Sequence, residues 1–248
     1  MAFGSVKMTH VDGTMHHLGV DESMIAKDVI LVPDPMSVSF FAELMENAKL
    51  MGDYREYVTY TGTYKGKPLT VMSSGFGCMP MAIAVEELNH LHAEKVIKIE
   101  ACATAAEDVP CGTVCLCKGA VRCEGASREY IDDSYPAVPD MGLFAALNRA
   151  CGKAARLSVF RSHDCINNDS PYVEGGMERA NAWTKLGVEA VDGGTSAMYV
   201  ISSILGVKTA SAAVIGENYA TGEVLSREEQ DEALKELFLN AAEALVCC

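Results

Sequence analysis

Short apolar runs alternate with helical patterns along almost the whole chain. Strands are predicted where apolar residues are contiguous, and helices where they recur every three or four residues. The predicted strands are residues 28–32, 58–64, 69–74, 95–102, 113–121, 155–160, 187–192 and 209–217. The predicted helices are residues 36–50, 79–92, 195–205 and a C-terminal segment that opens with a capping box from Ser226 to Glu229. This alternation predicts a single α/β domain over residues 1–248, with a central mixed, mostly parallel sheet flanked by helices.

An excess of acidic residues limits the partners that such a domain can have. The chain carries 20 Lys and Arg against 34 Asp and Glu, a formal net charge of −14. Because nucleic acids and anionic membranes are bound by basic surfaces, we expect neither as a partner. The first residues lack a signal-peptide pattern, and no apolar run approaches the roughly 20 residues that span a bilayer. The ten cysteines include no CxxC pair, which predicts reduced core thiols, a cytoplasmic location and no metal site.

The alternation also predicts where a ligand binds. In doubly wound folds, ligands lie beyond the carboxyl ends of the strands. The segments that follow predicted strands in this way are residues 33–37, 75–80, 100–104 and 216–219. Taken by themselves, these residues predict a small-molecule α/β enzyme with its site at that edge.

Ten short segments match one known family in the same order. They are HLG at 17–19, VILVPDP at 29–35, REY at 55–57, YTGTYKG at 60–66, GFG at 75–77, AVEEL at 84–88, VIKIE at 96–100, GAS at 125–127, YPAVPD at 135–140 and residues 187–199. The chain resembles the nucleoside phosphorylases over most of its length, and most closely their uridine phosphorylase branch. The resemblance implies a pentosyltransferase that converts a nucleoside and phosphate into free base and ribose-1-phosphate. It implies phosphate as co-substrate and no cofactor.

The resemblance assigns the phosphate site to four residues, two that match the family pattern and two that depart from it. These are Arg55, Lys98, Gly75 and Ala101. Lys98 replaces a family arginine, and Glu100 with Ala101 replaces a Gly-Thr or Gly-Ser pair. The change adds a carboxylate next to the expected dianion, and like charges at this distance repel. A buried ion pair between Lys98 and Glu100 is the alternative interpretation of Lys98, because a buried charge needs a partner.

The ribose and base sites are also carried over by resemblance. The ribose residues are His17, Asp192, Gly193 and Gly194, and the base residues are Cys102, Ile166, Glu217 and Asn218. Gly194 stands where the family has the glutamate that binds the sugar hydroxyls. Glu217 is the expected catalytic acid, which protonates the leaving base.

The departures from the family pattern leave two alternative functions open. Fewer phosphate ligands would suit a nucleosidase that works without phosphate. The missing ribose glutamate would suit a non-catalytic, ligand-binding family member. In the family, subunits share active sites, so the resemblance implies a homo-oligomer, a dimer or hexamer, in which His17 and Arg55 reach a neighbour's site.

Overall fold

The structure, a computed structural model, describes residues 8–165 and 175–246 and contains a ten-stranded mixed sheet. The strands are β1 (Asp28–Val32), β2 (Glu46–Tyr54), β3 (Tyr57–Tyr64), β4 (Lys67–Ser73), β5 (Lys95–Thr104), β6 (Val114–Cys123), β7 (Arg156–His163), β8 (Val188–Asp192), β9 (Lys208–Asn218) and β10 (Glu223–Val224). The helices are α1 (Pro35–Ala42), α2 (Cys78–His90), α3 (Met141–Cys151), α4 (Gly176–Lys185), α5 (Thr195–Leu205) and α6 (Arg227–Val246). Short 3₁₀ turns lie at Glu22–Met24 and Ala126–Glu129.

The strand order is β10-β9-β6-β7-β8-β5-β1-β4-β3-β2, and β9 also pairs with β5. Parallel pairs join β4, β1, β5 and β9, and a second parallel set joins β6, β7 and β8. The pairings of β2, β3 and β10, of β6 with β9 and of β5 with β8 are antiparallel. The mixed sheet is as predicted, and the extra β9–β5 pairing turns five of its strands into a closed ring.

Helices cover both faces of the sheet, as strand β1 shows. Val29 and Leu31 pack with residues of α2 and α5, whereas Ile30 and Val32 pack with residues of α1, α3 and α6. This alternation follows from the two-residue period of a strand. A strand buried on both faces therefore reads as the continuous apolar run seen in the sequence. Among the described residues, no helix is both long enough and apolar enough to cross a membrane.

The predicted helix at residues 36–50 is wrong beyond Ala42. α1 ends there, and the chain turns into β2, an edge strand that pairs with β3 through two register irregularities. Asn47 adopts a φ of 54°, which no α-helix contains. Phe41 and Met45 are both buried in the same apolar cluster, so their four-residue spacing imitates a continuing helix. Periodicity cannot distinguish a helix from a turn that buries its apolar residues in the same place.

Candidate active site

A cavity of about 210 Å³ opens at the carboxyl ends of β5 and β8 and beside the start of α2. This is the edge of the sheet at which the sequence places a ligand. Its lining includes the following predicted site residues: Gly75, Lys98, Ala101, Cys102, Asp192, Gly193 and Gly194. The cavity thus gathers residues of the predicted phosphate, ribose and base sites in one chain.

Lys98 lies at the centre of the charged lining and is almost completely buried. Its ammonium forms an ion pair with the carboxylate of Glu100. It also lies 2.9 Å from Oδ2 of Asp192 and 3.4 Å from the hydroxyl of Thr195. The ion pair anticipated between Lys98 and Glu100 is therefore present, and a second carboxylate joins it from β8.

Asp192 ends β8 and fixes the start of α5. Its Oδ2 accepts a hydrogen bond from the backbone N–H of Thr195 at 2.8 Å, and its Oδ1 accepts one from the hydroxyl of Ser162 at 2.5 Å. Burial alone raises the pKa of Asp192, but Lys98 and these hydrogen bonds outweigh it and lower the pKa below its ordinary value. Asp192 is therefore ionised in the folded protein at neutral pH.

A third buried carboxylate, Glu124, is linked to Asp192 through Ser196 and Ser162. It accepts hydrogen bonds from the hydroxyl of Ser196 at 3.0 Å and from the backbone N–H of Ser127 at 2.9 Å. The backbone N–H of Ser196 donates in turn to the hydroxyl of Ser162, which holds Asp192. The sequence analysis missed Glu124, which follows directly after β6.

Two cysteines lie at or beside the cavity: Cys102 in β5 lines it, and Cys78 is the first residue of α2, next to the lining residue Gly77. The thiol of Cys78 donates to the carbonyl of Gly193 at 3.1 Å. Burial raises the pKa of Cys78, and the carboxylates of Glu124 and Asp192 raise it further. Burial also raises the pKa of Cys102, although Lys98 opposes that change. Both thiols are therefore protonated at neutral pH and are poor nucleophiles.

Three residues that the sequence analysis did not assign also line the cavity: Phe76, His163 and Tyr219. Phe76 is 65% exposed and Tyr219 is 39% exposed, so both lie at the cavity mouth. His163 is 6% exposed, and burial together with the nearby charge of Arg161 lowers its pKa. The imidazole is therefore neutral at pH 7.

Glu217 and Asn218 do not line the cavity, although they end the adjacent strand β9. Glu217 is exposed and is the register partner of Ala103, which does line it. The side-chain amide of Asn218 donates to the carbonyls of Ala106 and Val109 at 2.9 and 2.8 Å. Its oxygen accepts from the backbone of the turn that follows β9. In this chain the Asn218 amide is thus committed to the backbone.

Replacing Asn218 by alanine is expected to lower the free energy of unfolding by about 2–3 kcal/mol, because two buried carbonyls lose their donors. Chemical denaturation measures this change. Asn89→Ala is the control, since the described residues offer no hydrogen bond to the Asn89 side chain, and it should stay within about 0.5 kcal/mol of the parent. An unchanged stability for Asn218→Ala would contradict this structural role.

His17 and Arg55 do not line the cavity of their own chain. The backbone N–H groups of His17 and Leu18 and Nδ1 of His17 all bond the buried carboxylate of Glu87 on α2, at 2.7–3.1 Å. Arg55 is exposed in the turn between β2 and β3, where its guanidinium lies 5.3 Å from the ring centre of Tyr54. Ile166 lies outside the described residues.

The side chains and backbone that line the cavity determine which metal or ligand could bind there. Within residues 8–165 and 175–246, no group of three or more His, Cys, Asp or Glu side chains is placed to hold a metal ion. Acid–base and electrostatic chemistry can come from Lys98, Glu100, Asp192 and His163. Gly75 and Gly77 adopt positive φ angles of 69° and 101° immediately before α2 and bring bare backbone to the same cavity.

Comparison with known proteins identifies relatives with similar sequences. A uridine phosphorylase from Treponema pallidum (strain Nichols) is 33% identical over 218 residues, which cover 85% of this chain and 84% of that protein. A guanosine phosphorylase from Halorubrum lacusprofundi is 27% identical over 216 residues, which cover 87% and 88% of the two chains.

One solved structure and one family model indicate the same family as these relatives. The crystal structure of uridine phosphorylase from Vibrio fischeri ES114 matches with a TM-score of 0.84 at 29% identity, and covers 98% of this chain and 100% of that one. This match confirms the predicted α/β fold. A model of the phosphorylase superfamily matches residues 27–247. The resemblance read from the ten segments is confirmed: the chain belongs to the phosphorylase superfamily.

Proposed function

We propose that this chain is a nucleoside phosphorylase of the uridine phosphorylase type, which transfers ribose from a nucleoside to phosphate. The observation that carries the proposal is the cavity at the carboxyl ends of β5 and β8, which is lined by seven of the residues assigned to phosphate, ribose and base. The names of the relatives from Treponema and Halorubrum support the same reaction class. The free thiols among the described cysteines fit a cytoplasmic enzyme.

Phosphate is placed in this proposal at the loop that contains Gly75 and Gly77. The loop lines the cavity and leads into α2, whose N-terminal backbone N–H groups favour an anion. Lys98 contributes less than a free cation because Glu100 and Asp192 already neutralise it. Arg55 of a neighbouring subunit supplies the second cation.

The ribose lies against the segment Asp192 to Gly194. With glycine at positions 193 and 194, no side chain there competes with the sugar for space. Glu217, on the β9 side, protonates the leaving base, and His17 of a neighbour contacts the sugar. The rate acceleration comes from positioning phosphate against C1′ and from the negative field of Asp192 on the ribosyl cation that forms.

The direct test is incubation of the protein with uridine and with inosine, with and without phosphate, followed by detection of free base and ribose-1-phosphate. Base release that requires phosphate supports the proposal. Base release at an equal rate without phosphate would identify a nucleosidase instead. Absence of release from both nucleosides, with the protein folded and oligomeric, would identify a non-catalytic family member.

Phosphate binding by the parent protein is expected to be in the millimolar range or weaker. The double substitution Glu100→Gly and Ala101→Thr should strengthen it by about 10- to 100-fold, because Lys98 loses one of its two carboxylate partners and a charge-assisted hydrogen bond contributes about 1.5–3 kcal/mol. Titration calorimetry measures both affinities. The single variant Ala101→Thr measures the contribution of the added hydroxyl to phosphate affinity while the charge of Glu100 is kept. Micromolar binding by the parent would show that another cation holds phosphate.

Shared active sites predict complementation between two inactive variants. Arg55→Ala removes a residue that is lent to a neighbour, and Asp192→Asn disables the cavity that receives it. Mixed oligomers of the two contain some sites in which both residues are intact. We therefore expect activity to return in refolded mixtures up to about a quarter of the parent value at equal amounts, by random assortment of a two-subunit site. Complete lack of recovery in verified mixed oligomers would contradict shared sites.

A further inference from the structure

We propose that His163 is a specificity-determining residue and that its imidazole N–H donates a hydrogen bond to a carbonyl oxygen of the leaving base. This rests on the proposed function, since it concerns recognition of the base in the same site. Three features carry it. The imidazole is buried in the cavity wall, it has no hydrogen-bond partner among the described residues, and it lies across the ribose segment from the loop of Gly75 and Gly77.

The imidazole of His163 is a buried polar group whose hydrogen-bonding capacity is unused. His163 is 6% exposed and lines the cavity. No residue that the structure describes hydrogen-bonds its ring nitrogens, and its pKa responds only to burial and to nearby charges. The nitrogens are not among the sealed and unpaired side-chain atoms of the described residues, so they stay accessible from the cavity. Because most buried polar groups in proteins are hydrogen-bonded, this ring is expected to pair with a bound ligand.

The order of the strands places the base against His163. A single displacement at C1′ needs the attacking phosphate and the leaving base on opposite faces of the sugar. Phosphate is placed at Gly75 and Gly77, which follow β4, and ribose at Asp192, which ends β8. In the strand order, β7 lies on the other side of β8 from β5, β1 and β4, and Ser162 of β7 is the register partner of Asp192. His163, the last residue of β7, therefore meets the side of the ribose from which the base leaves.

Burial and three charged side chains determine the protonation of His163. Burial and the guanidinium of Arg161 lower its pKa, whereas the carboxylates of Asp192 and Asp164 raise it by less. The ring is therefore neutral at pH 7 and has one N–H donor and one acceptor nitrogen. Asp164 accepts a hydrogen bond from the backbone N–H of Gly125 at 2.9 Å, and Asp192 is held by the contacts described above. Neither carboxylate bonds the imidazole, which leaves its N–H for a ligand.

Arg161 favours the tautomer that donates into the cavity. It lies two residues before His163 on β7, so both side chains point to the same face of the strand. Its guanidinium carbon is 5.5 Å from the ring centre of Trp183, and its Nε is buried without a partner among the described residues. A cation at this place repels an N–H and attracts the unprotonated nitrogen of the imidazole. Because His163 lines the cavity and Arg161 does not, the favoured tautomer carries its hydrogen on the cavity side.

A carbonyl oxygen is the base atom that gains most from this donor. When the C1′–N bond breaks, its electron pair moves to the ring nitrogen, and the negative charge spreads to the carbonyl oxygens of uracil or hypoxanthine. A phosphate oxygen forms the new bond to C1′, and Glu217 supplies the proton that the base nitrogen takes up. The hydrogen bond from His163 strengthens as this charge develops, so it stabilises the transition state more than the bound nucleoside. An exocyclic amino group, as in cytosine or adenine, would instead place N–H against N–H.

Two matched pairs of free bases test this recognition: uracil with cytosine, and hypoxanthine with adenine. Within the pair that the protein binds more tightly, titration calorimetry should show at least about tenfold tighter binding of the carbonyl base, equivalent to roughly 1.4 kcal/mol. His163→Ala should bring the two bases to within about twofold, because the donor is lost. His90→Ala, at the opposite end of α2 from the cavity, is the control and should leave the preference unchanged. Equal binding within that pair, tighter binding of its amino base, or binding of none of the four bases at millimolar concentration would overturn the inference.

Amide substitutions separate the hydrogen bond from the volume of the ring. The side-chain NH₂ of His163→Asn lies near the place of Nδ1, that of His163→Gln lies near the place of Nε2, and neither amide carries a charge. At least one of the two variants should keep the base preference to within about threefold of the parent, because it keeps a donor. If both lose the preference as completely as His163→Ala, the imidazole acts through packing and the inference fails.

Turnover separates this inference from the proposed function. With phosphate present, His163→Ala should lower kcat on uridine or inosine by at least about tenfold, since the hydrogen bond is strongest in the transition state. If the parent cleaves these nucleosides and His163→Ala cleaves them at the same rate, the proposed function stands and the inference fails. If the parent selects carbonyl bases but releases base from neither nucleoside, the proposed phosphorylase fails while base recognition by His163 remains.

Discussion

Replacing Lys98 by methionine is expected to lower the free energy of unfolding by about 3–5 kcal/mol, the usual cost of removing one partner from a buried ion pair. The expected loss follows from geometry. Methionine fills much of the volume of lysine but leaves the carboxylates of Glu100 and Asp192 facing each other without a cation. Burial would then raise the pKa of Asp192, which Lys98 now lowers.

The pH dependence of this loss distinguishes charge from packing. In the parent, the lowered pKa of Asp192 stabilises the fold above its unfolded value of 3.8, and that stabilisation disappears as pH falls through the folded pKa. The deficit of Lys98→Met should therefore be largest near neutrality and shrink below pH 4. Denaturant titrations at several pH values measure it, with Lys208→Met at the exposed start of β9 as control. A deficit that does not change with pH would mean that lost packing, and not lost charge, is the cause.

Replacing Glu217 by glutamine is expected to lower kcat on uridine and inosine by about 10²–10⁴-fold, the typical contribution of general acid catalysis. Glu217 stays the predicted acid because its register partner Ala103 lines the cavity, and because Tyr219, two residues further on, lines it too.

The effect of Glu217→Gln on the cleavage rate should depend on the leaving group of the substrate. A nitrophenyl riboside has a leaving group that needs no proton, so Glu217→Gln should cleave it within about threefold of the parent rate, given that acid catalysis is not required. Glu228→Gln, which changes an exposed carboxylate in the first turn of α6, is the control. A full rate on uridine for Glu217→Gln would place the catalytic acid elsewhere.

The sequence predicts well those features that depend on neighbours along the chain. The strands β3 and β4 and the turn that joins them follow from alternation and from the Lys65-Gly66 pair, which adopts positive φ angles. The capping box is present as predicted, since the backbone N–H of Ser226 donates to Glu229 at 2.9 Å. The ion pair of Lys98 with Glu100 was also predictable, because residues two apart in a strand share a face.

Contacts between distant segments were not predictable in the same way. Asp192 joins Lys98 from a strand 94 residues away, and no local pattern records that meeting. The neutral His163 and the buried Glu124 take their properties from burial, which exists only once β6, β7 and α5 have packed. For the same reason the apolar pattern of residues 36–50 predicts one helix, although residues 46–50 pair with β3.

Helix α2 connects the cavity with the segment that contains His17, and the proposed reaction uses both. Its first turn adjoins the cavity, and Glu87 near its other end holds the backbone and ring of His17. A ligand that shifts the start of this helix therefore shifts the His17 loop as well, because hydrogen-bonded helices move as a unit. In an oligomer with shared sites, each cavity would then sense the occupancy of the next one. Cooperativity between subunits would thus be transmitted by the displacement of one helix, α2.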